Sequence, residues 1–164
     1  MATKSDRVLI VGAGPVGLVA ACDIAIASRD AFFAMSEVKL GLLPAAVSPY
    51  VIAAVGGRNA RRYFLTAERV PAEEAVKVGF IHDVVADRAA LAAAGERYVK
   101  EFLTCAPGAI ADTKALIRDI TGRYVSDELM DLTARRIAAR RTSTEGQEGL
   151  AAFIGKRKPT WFAG

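Results

Sequence analysis

The sequence predicts an α/β fold in which a small sheet-and-helix unit fills the first half and the second half is helical. Three observations carry that reading. β-favouring runs at Val8–Val11, Ala31–Met35 and Phe80–Val85 all fall before residue 86, each bounded by turn formers. From Ala89 onward, helical patterns follow one another across short polar joints. The composition, 52% hydrophobic and 24% charged over 164 residues, suits one well-buried core rather than a disordered or fibrous chain.

Val8–Val11 reads as a buried strand running into a glycine turn, Gly12-Ala13-Gly14. Pro15 suits the first position of a helix, where its missing N–H costs nothing, and Leu18, Ala21, Cys22 and Ala25 share one helical face. The segment DIAIAS after Cys22 alternates small and β-branched residues and reads equally as strand or helix. Ala31–Met35 is the next strand, followed by Ser36 and Glu37, and Gly41-Leu42-Leu43-Pro44 breaks the pattern. Pro49–Val55 predicts a short helix stopped at Gly56-Gly57, with Asn59 as cap of the next segment, ARRYFLT, whose Tyr63, Phe64 and Leu65 need a core. Pro71 opens a helix with Glu73 and Glu74 in its first turn, Gly79 stops it, and Phe80–Val85 is the last strand. The spacing then predicts helices over Arg88–Leu103, Ala109–Thr121, Ser126–Arg140 and Glu145–Gly155, the last preceded by a capping box at Thr142-Ser143-Thr144-Glu145.

The net charge of +4 is compatible with an acidic small ligand, but there is no basic stripe interleaved with exposed aromatics, so nucleic acid is not an expected partner. Val8–Ile26 is apolar overall, yet its glycines, Pro15 and Asp23 argue against a membrane span, and the N-terminus lacks the form of a secretory signal. Cys22 and Cys105 show no metal-ligand spacing and read as buried apolar fillers in a cytoplasmic protein; no metal is expected. His82 has no Ser, Cys or metal partner in view and reads as structural. Tyr63, Phe64 and Trp161 read as core or subunit-contact residues.

Two chemistries fit the stretch Arg7–Glu37. GAGPVG at Gly12–Gly17 is a G-x-G-x-x-G after a strand and before a helix, so Gly12, Gly14 and Gly17 could cradle a pyrophosphate with Glu37 on a ribose hydroxyl. RVLIVGAGPVGLVAA resembles the first βα unit of flavin-dependent monooxygenases, which implies FAD or NAD(P). No second glycine-rich unit follows to complete such a fold.

A longer resemblance points elsewhere. VGLVAACDIAIASRDAFFAMSEVKLGLLP at Val16–Pro44, VGGRNARRYFLTAERVPAEEAVKVGFIHDVV at Val55–Val85 and EGLAAFIGKRKPTW at Glu148–Trp161 resemble the second half of the crotonase superfamily, the enoyl-CoA hydratases and isomerases. SPYV at Ser48–Val51 resembles the methylglutaconyl-CoA hydratase branch. The resemblance implies a truncated crotonase-like β-β-α core over residues 1–87, with a Rossmann-like first strand and glycine turn, and a helical oligomerisation region over 88–164. It implies a coenzyme A thioester as substrate, no cofactor, and a homo-oligomer, trimer or hexamer.

In that family a backbone N–H of the glycine turn forms half of an oxyanion hole, and Gly14 matches it. Glu37 matches the general acid/base. Phe153, Lys156 and Lys158 match positions that contact coenzyme A. The family's second hydratase glutamate aligns with Gly17, so a single carboxylate is expected to serve. The family's N-terminal half, source of the other oxyanion N–H, has no counterpart here, and impaired catalysis is the expectation. A non-catalytic helical assembly module is the remaining reading.

Overall fold

The computed structural model describes residues 8–11 and 16–162. The chain divides into two compact units, residues 1–97 and 98–164.

The first unit is built on β2 (Ile24–Ser28). Its small and β-branched residues leave Ala25, Ile26, Ala27 and Ser28 all buried, as a central strand covered on both faces requires. On one edge β1 (Val8–Val11) runs antiparallel, Val8 opposite Ala27 and Val11 opposite Ile24. On the other β5 (Asp83–Val85) runs parallel, Ile26 opposite Asp83 and Ser28 opposite Val85. Having a partner on both edges decides DIAIAS as a strand. Between the first two strands lies the short helix α1 (Val16–Ala21).

His82 extends the β2–β5 pairing by one residue. Its backbone N–H donates to the Ala25 carbonyl at 2.8 Å, and its Nδ1 accepts from the Ala25 N–H at 3.0 Å. The ring is thus a structural acceptor for the amide of a fully buried residue. His82→Ala is expected to cost about 1–3 kcal/mol by stranding that donor. His82→Asn, which keeps an acceptor, should recover part of it in denaturant unfolding; equal losses in the two variants would refute the role.

β3 (Phe32–Phe33) pairs antiparallel with β4 (Val70–Pro71) in a second, two-stranded sheet. Phe33 meets Phe80 edge-on at 4.8 Å between ring centroids, in a core shared with Met35, Val51, Val55, Tyr63 and Val70. The helix α2 (Ser48–Thr66) is broken at Gly56, where φ is +73° and ψ 157°. The stop expected at Gly56-Gly57 is therefore real, though the chain re-enters a helix at once. Asn59 is not the cap expected of it: its Nδ2 donates back to the Val55 carbonyl at 2.9 Å, covering an acceptor at the break. Tyr63 is buried and its hydroxyl lies 3.4 Å from Glu74 Oε1; burial holds its pKa above the usual phenol range. Phe64 is half-buried against this core, whereas Leu65, expected inside, is exposed. α3 (Ala72–Lys77) follows Pro71.

α4 (Arg88–Thr104) crosses from one unit's residues to the other's. The second unit then contains α5 (Pro107–Ile120), α6 (Asp127–Thr142) and α7 (Thr144–Ile154). Ser126 caps α6 by accepting from Leu129 N–H at 3.3 Å, and Ser143 caps α7 by accepting from Gly146 N–H at 3.1 Å. The capping box expected at Thr142–Glu145 does not form, because Ser143 takes the cap position. Glu145 instead reaches α5, where its two carboxylate oxygens accept from Gly108 N–H and Ala109 N–H, each at 3.1 Å. Arg140 pairs with Glu145 and, at 3.1 Å, with Asp112. Cys105, expected to be a buried filler, is exposed, Cys22 is half-buried, and neither forms a disulfide.

Candidate active site

Glu37 sits one residue beyond Ser36, after β3 and the buried Met35, at the start of a 3-10 turn over Glu37–Leu40. Gly41 closes the turn in the left-handed conformation, φ +71°. The residue as a whole is half-buried, but Oε2 is enclosed and accepts no hydrogen bond from the described residues. An enclosed carboxylate oxygen without a donor costs free energy that a purely structural acid has no reason to carry.

Gly17, in α1, has a packing role. A Cβ there would lie 3.0 Å from Val47 Cγ1, so the glycine permits close approach of the residue just before α2. A glutamate, which the resemblance would place there for water activation, needs Val47 to shift. Gly12 and Gly14, with the predicted oxyanion N–H, lie outside the described residues.

The dinucleotide reading fails on strand direction. A phosphate-binding βαβ unit needs its two strands parallel, joined by a full crossover helix. Here β1 and β2 are antiparallel and α1 has six residues. β1, α1 and β2 are therefore not arranged as the framework that FAD or NAD(P) requires.

Phe153, Lys156 and Lys158 lie together in the second unit at the end of α7, all exposed. Lys156 adopts φ +50°, and the Arg157 N–H then returns to the Ala152 carbonyl at 3.0 Å, ending the helix in a left-handed cap. The tail is fixed by Glu148, Arg157, Thr160 and Trp161. Arg157 grips Glu148 with two bonds, 2.6 and 2.7 Å, and the Thr160 N–H adds a third at 3.0 Å. The Arg157 hydrogen bond holds the Glu148 carboxyl below its usual pKa. Trp161 Nε1 donates to the Thr104 carbonyl at 3.3 Å, and its ring lies where a Cβ on Gly149 would come within 3.0 Å. Lys158 Nζ stands 4.3 Å from the centre of the Phe162 ring. Both lysines and Phe153 are thereby presented to solvent. The complementary charge of Glu148 and Arg157, nine residues apart, was the available signal for this clasp.

An open groove of about 580 Å³ lies between α5 and α6, lined by Leu116, Thr133, Ile137, Arg136 and Arg140 among others. None of the predicted site residues lines it. Arg136 pairs with Asp119, and Arg140 with Asp112 and Glu145, so its cations are already matched by acids of the same unit.

Comparison with known proteins agrees with the longer resemblance. A family model described as enoyl-CoA hydratase/isomerase matches residues 10–163. The enoyl-CoA hydratase AKT6-1 of Alternaria alternata is 38% identical over 147 residues, covering 88% of this chain and 48% of that protein. A putative enoyl-CoA hydratase of Thermus thermophilus is 33% identical, covering 90% and 57%. Among solved structures, an enoyl-CoA hydratase from Shewanella pealeana superposes with a TM-score of 0.84 at 45% identity, covering 89% of this chain and 54% of that one. Pseudomonas aeruginosa AtuE gives 0.84 at 40% identity, covering 89% and 56%. The chain spans about half the length of the relatives it matches. Its small mixed sheet, the helices that follow and the match along nearly its whole length place this chain in the enoyl-CoA hydratase/isomerase family, within the crotonase superfamily.

Proposed function

We propose that the chain acts on a 2-enoyl-CoA thioester, with Glu37 as general acid/base. The observation that carries this reading is the enclosed Oε2 of Glu37, which takes no hydrogen bond from the described residues, at the position the family pattern assigns to its proton-transfer glutamate. In hydration, water adds at C3, the double-bond electrons move toward the thioester oxygen, and the resulting enolate takes a proton at C2. In isomerisation, a proton leaves one carbon and returns to another through the same carboxylate. The Gly14 N–H is the proposed donor to the enolate oxygen. With Gly17 where a second glutamate would stand, one carboxylate handles the proton. Phe153, Lys156 and Lys158 are the proposed contacts for the adenine and phosphates of coenzyme A. A trimeric or hexameric assembly in the cytoplasm, with a branched acyl group such as methylglutaconyl, completes the proposal.

Loss of the conjugated-thioester absorbance on incubation with crotonyl-CoA or 3-methylglutaconyl-CoA tests it directly. The visible spectrum of the same sample tests the flavin alternative, since bound FAD absorbs there and this reading predicts a colourless protein. A second reading, a non-catalytic assembly module, draws support from the exposed Met130, Ile137, Phe153 and Ile154 of the second unit. It predicts a defined oligomer that turns over neither thioester.

A further inference from the structure

We infer that Gly41 is a positioning residue for the Glu37 carboxylate, fixing it through the backbone alone; the inference rests on the acid/base reading of Glu37. Before Glu37, the chain is anchored by the buried Met35. After it, Val38 is half-buried and Pro44 buried, while Leu40, Leu42 and Leu43 are 74%, 62% and 73% exposed, and Ser36 makes no side-chain cap. The turn itself is closed by a set of backbone hydrogen bonds. Lys39 N–H donates to the Ser36 carbonyl at 3.0 Å, Gly41 N–H to the Val38 carbonyl at 3.3 Å, and Leu42 N–H to the Glu37 carbonyl at 3.0 Å.

The last of these bonds depends on Gly41. With φ at +71°, residue 41 turns the chain so that the next N–H points back at Glu37. A Cβ at Gly41 would meet nothing within 4 Å, so alanine there introduces no collision and acts only by disfavouring the left-handed backbone. In the sequence alone Gly41 stands only as a breaker ahead of Pro44. Its geometry makes it the closing link of the turn that presents the catalytic carboxylate.

Three variants of the full chain test this: Gly41→Ala, Gly41→Asn, which tolerates the left-handed region, and Gly122→Ala. The last imposes the same strain in the second unit, at φ +77° and with nothing within 4 Å of a Cβ. Gly41→Ala is expected to lower kcat for crotonyl-CoA about tenfold, as a small misplacement of a reacting group does. KM should stay within about twofold, because thioester binding is not the property changed. Gly41→Asn should restore most of the rate, and Gly122→Ala should leave kcat at the wild-type value. Made on top of Glu37→Gln, Gly41→Ala should have no further effect. In parallel, amide exchange at Leu42 should quicken about tenfold in Gly41→Ala and stay slow in Gly41→Asn.

Unchanged kcat in Gly41→Ala beside an inactive Glu37→Gln overturns the positioning role alone. An undiminished Glu37→Gln overturns the acid/base reading, and the positioning role with it. Unchanged Leu42 exchange overturns the inference whatever the turnover shows.

Discussion

Glu37→Gln is expected to lower turnover of crotonyl-CoA by about 10²–10⁴-fold, the range that general acid/base catalysis contributes. Glutamine keeps the shape of the side chain and removes the proton exchange. Because Oε2 receives no hydrogen bond from the described residues, the substitution breaks no such bond among them. Stability should therefore stay within about 1 kcal/mol of the parent, which unfolding in denaturant will show. A loss concentrated in kcat, with KM little changed, is the expected pattern for a group acting in the transition state. If the glutamine variant turns over substrate at the parent rate, Glu37 is not the proton-transfer residue.

Gly146→Ala is expected to destabilise the second unit by about 3 kcal/mol or more, at the upper end of overpacking effects. Gly146 is in the first turn of α7, and a Cβ there would overlap the Arg140 carbonyl oxygen and lie 3.2 Å from the Arg141 carbonyl. Both obstacles are backbone atoms, so no side-chain rotation relieves them. The Ser143 cap on the Gly146 N–H and the Glu145 carboxylate on α5 stand within three residues of the strain and move with it. Thermal unfolding followed by helical circular dichroism measures the effect. Gly57→Ala is the comparison, being a glycine with nothing within 4 Å of a Cβ, and an equal loss there would mean that the corner is not specially tight.

The helical half was legible in the sequence because its signals are local. Apolar spacing and the short polar joints between helices each act within a turn or two, although the starts were less exact, α5 beginning at Pro107 rather than Ala109. The strand at Ile24–Ser28 was not, since small and β-branched residues suit either conformation and the choice is made by β1 and β5. His82 was recognised as structural, but its partner is a backbone amide 57 residues away, which no local pattern encodes. Glu145 illustrates the same limit. Its spacing from Thr142 imitates a capping box, while the donors it serves are 37 and 36 residues earlier. For the candidate site, Glu37 was legible through a family pattern rather than periodicity. The turn that presents it depends on the backbone angle at Gly41, which the sequence reading did not supply.

The bond between Glu145 and the start of α5 also has a consequence in time. The first N–H groups of a helix have no partner within it, and those of Gly108 and Ala109 find theirs in a residue made 36 or more positions later. During synthesis, at roughly 5–20 residues per second, α5 therefore waits some seconds with its start unsealed. α7 closes the start of α5, so the second unit is completed only once α7 has been made.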